Sequence, residues 1–437
     1  MSVTLEGRFE RYCQSIVAAL GHADRRQPAQ WYLKGLMLPG QRKSVEPMAA
    51  RVHPEDVRSA HQSMHHLVAM ADWEDRAVLT TVAQQVTPKL VTGDEDCWWI
   101  LDDTGHAKKG TKSVGVARQY CGRLGKTDSC QIAVSLSLAS ARGSIPLAYR
   151  LYLPQEWTDD RPRCRAAGVP ESILFQTKGQ IARDQIAAAL AQGAPRGIVL
   201  GDAGYGDDTD FRDWLIEQAL DYVLAVKSAT TVWWGKHQPA KAPPPSNRGG
   251  RPRTRLIRDT HHQPISVAEL ARALPPKSWQ QISWREGTNG TLSSRFARVR
   301  ARAAHGEQAR AEEWLLIEWP QAEAEPTHYW LSTLPKKLAF KKLVRHAKAR
   351  WRIERDYQEL KSELGLSHYE GRNWRGFHHH ATLCIAAYGF LMLERLAFKK
   401  NSQLQEPPLP EGFLPRGAGT DAASRAMVDR NATRTPR

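Results

Sequence analysis

CWWILDDTG, residues 97–105, drives a continuous apolar run into two acids, Asp102 and Asp103, followed by Thr104 and Gly105. A short apolar run bounded by turn residues reads as a buried strand, and an acid at its end stands at the rim of a sheet, where sites form in open α/β folds. Asp also serves at strand ends simply as a turn former, so this motif alone leaves both readings open. GIVLGDAGYG, residues 197–206, repeats the device: an apolar run closes on Asp202, with Gly204 and Gly206 after it. Around these two runs, SVGVARQYC, CQIAVSLSLA and IPLAYRLYLP are strand-like. The helix-like QIARDQIAAALAQG and DDTDFRDWLIEQAL and the strand-like DYVLAVKS come later. Strands first, then alternating helix and strand, predict an α/β fold built on a mixed sheet.

The flanks read differently. Residues 1–92 form a helical N-terminal domain, with apolar positions at helical spacing in VTLEGRFERYCQSIVAAL and SAHQSMHHLVAMADWEDRAVLTTVAQQV. On a basic chain such a domain is expected to bind DNA, although it shows no helix-turn-helix spacing, and a plain helical scaffold fits the pattern equally. The core's first part spans 93–227. Residues 228–328 read as a β-rich insertion, opened by the basic, Pro/Gly-rich loop KAPPPSNRGGRPRTR. Residues 329–400 return to the core, helical from Lys336 to Leu366 and again from His379 to Lys399. Residues 401–437 have the composition of a disordered tail.

The chain of 437 residues carries a formal net charge of +16. A protein this basic is expected to meet a polyanion, most commonly nucleic acid. No apolar run reads as a membrane span of roughly 18–20 residues, and Glu6 argues against a signal peptide, so no membrane partner is expected. Six scattered cysteines without a CxxC pair speak against a zinc ribbon or a disulfide framework and fit a cytoplasmic location. The 15 tryptophans suit either a core or stacking on unpaired bases. GRLGKTDS resembles the end of a phosphate-binding loop, but Tyr120 stands where that loop needs glycine. The run His378–His380 cannot place three ligands on one helical face and is expected to be solvated or to touch phosphate.

A third acid lies in ARWRIERDYQELKSELGL. On a helix, Ile353, Tyr357, Leu360 and Leu364 make one apolar stripe, and Arg350, Glu354 and Lys361 align within roughly 40° of each other beside it. Glu354 can therefore point into a cleft between helix and sheet; a solvated charge pair is the alternative. Three carboxylates from separate elements can hold two divalent cations that ligate the attacking and leaving oxygens of a phosphodiester. An Asp/Asp/Glu set without His or Cys suits Mg²⁺. A pair of acids for glycoside hydrolysis would need no basic field around it.

With ILDDTG, IVLGDAGYG and RWRIERDYQELK in order, the chain resembles the DDE transposases of bacterial insertion sequences, in the branch with a Tyr-Arg-Glu-Lys signature. The resemblance runs from about residue 95 to 395 and implies a ribonuclease H-like catalytic core, a β-rich insertion and a helical N-terminal DNA-binding domain. It implies Asp103, Asp202 and Glu354 as the catalytic, metal-binding acids, with Asp103 preferred over Asp102 because the family's acid directly precedes Thr. Arg350 and Lys361 match the signature residues that contact transposon-end DNA, whereas the signature Tyr position holds Ala347. Tyr329 and Trp330 stand near where some relatives hold a flipped base, with strand core as their alternative role.

The resulting expectation is a bacterial, nucleoid-associated transposase using Mg²⁺ or Mn²⁺, two ions per site. It would cleave double-stranded DNA at terminal inverted repeats and join the free 3′-hydroxyl to target DNA, as a homodimer. Arg251, Arg253, Arg255, Arg298, Arg300 and Arg302 are expected to hold phosphates. A nuclease that does not rejoin, or a DNA-binding regulator derived from a transposase, are the alternatives.

Overall fold

The computed structural model describes residues 4–93, 96–240, 257, 259–287, 290–306 and 310–401. Arg251, Arg253, Arg255 and the tail expected to be disordered, from residue 402 on, lie outside the described residues.

Five helices come first: α1 (Leu5–Leu20), α2 (Arg26–Met37), α3 (Val45–Val52), α4 (Val57–Ala69) and α5 (Asp75–Leu90). Their apolar stripes turn inward, as Tyr12, Cys13, Ile16 and Leu20 do in α1. Thr4 caps that helix by accepting from the Gly7 N–H, and Gly21 ends it at φ +77°. What these helices pack around is the last one, Trp374–Asn401, numbered α14 below. The Tyr12 hydroxyl donates to the Ala386 carbonyl at 2.7 Å, and Arg8 pairs with Glu394 at 2.6 Å.

By length and composition α14 could cross a membrane, a run that the sequence pattern hides behind its three histidines. It is instead the buried core helix, with 78% of its most apolar window inside the fold, which is why it is apolar all round. This burial also corrects the reading of His378–His380: none is solvated. His378 Nε2 accepts from the Leu151 N–H while Nδ1 donates to the Trp374 carbonyl. His380 Nδ1 sits 2.8 Å from the Tyr32 hydroxyl and Nε2 2.9 Å from the Gly365 carbonyl. The run ties the N-terminal helices, the sheet and the loop after the third acid to one helix.

The sheet starts with β1 (Trp98–Ala107), β2 (Ala117–Cys121), β3 (Lys126–Ser140) and β4 (Gly143–Leu151). The GKT stretch is the turn from β2 into β3, with Gly125 at φ +63°. Helices α6 (Gln155–Thr158), α7 (Arg161–Ala166) and α8 (Lys178–Ala191) lead to β5 (Ile198–Gly201). Helices α9 (Ala203–Gly206) and α10 (Thr209–Glu217) then lead to β6 (Tyr222–Val226). β1 and β4 each pair antiparallel with β3, whereas β5 runs parallel with both β1 and β6. The order β4-β3-β1-β5-β6 is thus mixed, as expected, with β1 central and its apolar half fully buried.

The insertion does not stand apart. It contributes β7 (Thr231–Trp233), β8 (Ile265–Ser266), α11 (Val267–Ala273), β9 (Gln280–Gly287), β10 (Gly290–Ala303) and β11 (Glu313–Glu318), and β12 (His328–Ser332) follows where the core resumes. Strand β12 pairs antiparallel with β6, Trp330 opposite Ala225, and β11 and β10 follow outward. Core and insertion therefore share one sheet. After it come α12 (Phe340–Lys348) and α13 (Trp351–Ser362), which breaks the expected continuous helix at Ala349 and Arg350. The stripe of Ile353, Tyr357, Leu360 and Leu364 is buried, as its spacing predicts.

Candidate active site

Parallel pairing sets the geometry. β1 and β5 run in register, Trp98 beside Ile198 and Ile100 beside Leu200. Continued by two residues, that register sets Asp102 level with Asp202, which follows β5 in extended backbone at φ −78°, ψ −175°. Successive residues alternate between faces. Asp102 and Asp103 therefore face opposite ways from β1, beside the end of β5 where Asp202 follows. The Asp202 side chain is steadied by the first turn of α9, accepting the Gly204 N–H at 2.8 Å.

Helix α13 carries the third acid. Arg350, at its N-cap, donates to Asp102 Oδ1 at 2.6 Å, and Glu354 follows one turn later. Burial alone would lower the Arg350 guanidinium, but the charges of Asp102, Asp202 and Glu354 outweigh it and hold it above its ordinary value. Burial raises the Asp102 carboxyl above the usual range; Arg350 opposes that shift, and Asp103 and Asp202 add to it. The Arg350 cation thus pairs with Asp102 and is held charged by Asp202 and Glu354 as well.

Asp103 faces elsewhere. Its Oδ2 accepts from Lys178 Nζ at 2.6 Å and its Oδ1 from the Tyr205 hydroxyl at 2.6 Å. Lys178 opens α8, whose first turn is fixed by a capping box between Thr177 and Gln180. Tyr205 is buried, and burial together with the Asp103 charge keeps its phenol well above the ordinary value, hence a donor. Sequence reasoning missed both residues. Tyr205 had a signal, its place in GDAGYG; a lone lysine at a helix start gave none beyond the cap itself.

Asp102, Asp103, Asp202, Glu354, Arg350, Lys178 and Lys361 line one cleft of about 1200 Å³, whose outer wall includes Gln119 and Tyr120 from β2. Lys361 lies 5.8 Å over the Tyr357 ring. Gly206 holds the floor of this region: a Cβ there would come 1.8 Å from the Ala225 carbonyl oxygen. Gly206→Ala is accordingly expected to cost about 1–3 kcal/mol, read as a lower urea midpoint at unchanged slope.

The other expected DNA contacts sit in the sheet. Tyr329 and Trp330 are 4% and 6% exposed within β12, and Trp330 stacks on His328, which is the strand-core placement. Arg298 lies 4.5 Å from the Trp314 ring and 4.8 Å from Phe340, donating to the Leu338 carbonyl. Arg300 stacks on Trp314 from 4.9 Å and donates to the Glu312 carbonyl. Arg302 donates to the Arg310 carbonyl at 2.8 Å. These half-buried guanidiniums tie β10 to its neighbours, with Trp314 the stacking partner of two of them. Ala347, where the signature has Tyr, is buried in α12.

Residues 16–291 match the family described as DDE superfamily endonuclease, a span that includes Asp102, Asp103 and Asp202. The chain belongs to that family. A probable transposase for insertion sequence element IS701 from Microchaete diplosiphon is 32% identical to this DDE superfamily endonuclease over 168 residues. That similarity covers 38% of this chain and 41% of the relative, so the chain spans less than half of the relative's length. In this DDE endonuclease Glu354 lies beyond the matched span and reaches the other acids through the packing of α13.

Proposed function

We propose that this protein is an insertion-sequence transposase. In this reading it cleaves DNA at transposon ends in a divalent-metal-dependent reaction and joins the freed 3′-hydroxyl to target DNA. The observation that carries this reading is that Asp102, Asp202 and Glu354, drawn from three separate elements, line one cleft together with Arg350, Lys178 and Lys361. The sheet order β4-β3-β1-β5-β6 suits a ribonuclease H-like core, and Asp202 follows the end of β5 beside the middle of β1, where Asp102 and Asp103 stand.

The donor set fits a hard cation: carboxylates only, lining one cleft with Arg350 paired to Asp102. Among the described residues no three carboxylate, imidazole or thiolate groups enclose an ion by themselves. Substrate oxygens and water would complete the shell, as Mg²⁺ or Mn²⁺ prefers, and two ions per site suit the reaction. Asp102, Asp202 and Glu354 are the residues that would hold them. Bound there, the ions supply charge stabilisation for the in-line displacement and a nucleophile at neutral pH. The cleft orients the scissile phosphodiester so that a water oxygen bonds to phosphorus as the P–O3′ bond breaks. The water proton leaves to solvent and the released 3′-oxygen takes one up, giving a 3′-hydroxyl and a 5′-phosphate. In the joining step that hydroxyl oxygen bonds to a phosphorus of the target strand as the target's own P–O3′ bond breaks, its proton leaving to solvent and the displaced 3′-oxygen taking one up. Lys361 and the net charge of +16 favour the DNA backbone as partner, and pairing two ends implies a homodimer.

The test is a supercoiled plasmid carrying this reading frame with its flanking DNA, incubated with the protein, Mg²⁺ and a second plasmid. Joined molecules in the second plasmid are the expected product. Cleavage without joining would make the protein a nuclease, and salt-dependent binding without cleavage a regulator.

A further inference from the structure

We propose that Lys178 is a catalytic residue of this cleft and that Asp103 is its anchor rather than a ligand of the divalent ion. The inference rests on the metal-dependent DNA-cleavage reading above. Three observations carry it. Asp102 and Asp103 alternate to opposite faces of β1, Asp102 toward Arg350 and Asp103 toward Lys178. Both Asp103 oxygens are engaged, one by Lys178 at 2.6 Å and one by buried Tyr205 at 2.6 Å. Lys178 is itself built in: its backbone is set by the Thr177–Gln180 capping box, and its Nζ lies 5.7 Å from the Tyr152 ring. Its side chain, 37% exposed, remains in the cleft wall beside the acids.

An ammonium has three donors, and Asp103 takes one. A phosphodiester seated on the acids would bring its non-bridging oxygens into a cleft whose wall holds four carboxylates, so it needs fixed positive charge nearby. Lys178 supplies it in place, without reorganisation when charge builds on those oxygens during displacement. No proton transfer is asked of it. Asp103 then works through Lys178, as a positioning residue, and Tyr205 holds Asp103.

The experiment uses the full chain and its Lys178→Met, Lys178→Arg, Asp103→Asn, Lys178→Met/Asp103→Asn and Asp102→Asn variants. Each is measured for single-turnover cleavage of the plasmid above. Each is also measured for Mn²⁺ binding, from the electron paramagnetic resonance of free Mn²⁺ with a duplex of the flanking DNA present. Loss of one such donor is expected to slow cleavage about 100-fold. Lys178→Met and Asp103→Asn should each show that loss, the double variant no more than the first alone, with Mn²⁺ binding within about twofold of wild type. Lys178→Arg should recover part of the rate, and Asp102→Asn should lose Mn²⁺ binding. Mn²⁺ binding lost in Asp103→Asn as in Asp102→Asn would overturn the proposal, as would wild-type cleavage by Lys178→Met. A wild-type protein that cleaves nothing with Mn²⁺ would overturn the functional reading and this proposal with it.

Discussion

Glu354→Gln is expected to slow single-turnover cleavage of end-containing DNA about a thousandfold or more, while affinity for that DNA stays within about twofold. Divalent ions contribute several kcal/mol of transition-state stabilisation, and a loss of about 4 kcal/mol is about a thousandfold in rate. Glutamine keeps the size of Glu354, and the side chain is exposed on α13, so the fold has little to lose. Ground-state DNA binding is held by basic residues and loses nothing when one acid of the cleft becomes neutral. Asp202→Asn should behave alike, since asparagine can still cap α9. Labelled strands on denaturing gels give the rate, and fluorescence anisotropy gives the affinity. Cleavage at the wild-type rate would remove Glu354 from the site.

The second large effect concerns pH. Burial lowers His380 from its ordinary 6.5 to about 4, and the geometry agrees with a neutral ring: Nε2 donates to the Gly365 carbonyl and Nδ1 accepts from Tyr32. Between those pH values the unfolded chain binds a proton that the native ring refuses. The contribution of His380 is therefore complete above about pH 6.5 and is lost as pH falls toward 4, on the order of 3 kcal/mol. Buried Asp356, raised to about 6, works in the opposite sense, so the histidine is read as a difference between two proteins. Urea unfolding of wild type and His380→Gln at pH 7.5, 5.5 and 4.5 should show the wild-type advantage shrinking steadily with acid. An advantage independent of pH would mean that the native ring titrates normally.

The acids of β1 and β5 were legible because a buried apolar run that closes on Asp is a local pattern, although β1 runs on through both of its acids to Ala107, and the 3.6-residue stripe placed Glu354 beside the core without any tertiary knowledge. Choosing between Asp102 and Asp103 was not a local matter. Alternation says only that they face opposite sides; contacts distant in sequence, of Asp102 with Arg350 and of Asp103 with Lys178 and Tyr205, tell them apart. Long-range pairing likewise put Tyr329 and Trp330 inside the sheet, through β6 on one side and β11 on the other. The histidine run misled because its burial depends on α1, α2, α4 and α5, distant in sequence, closing around α14. Arg350 was legible as part of a motif but not as the partner of a carboxylate 248 positions away.

Mn²⁺ binding, followed by electron paramagnetic resonance with a duplex of the flanking DNA present, tests the shared-cation site most directly. Wild type should bind the ion, and Asp102→Asn, Asp202→Asn and Glu354→Gln should each weaken binding at least tenfold. Unchanged Mn²⁺ binding in all three variants would contradict a site built from these carboxylates.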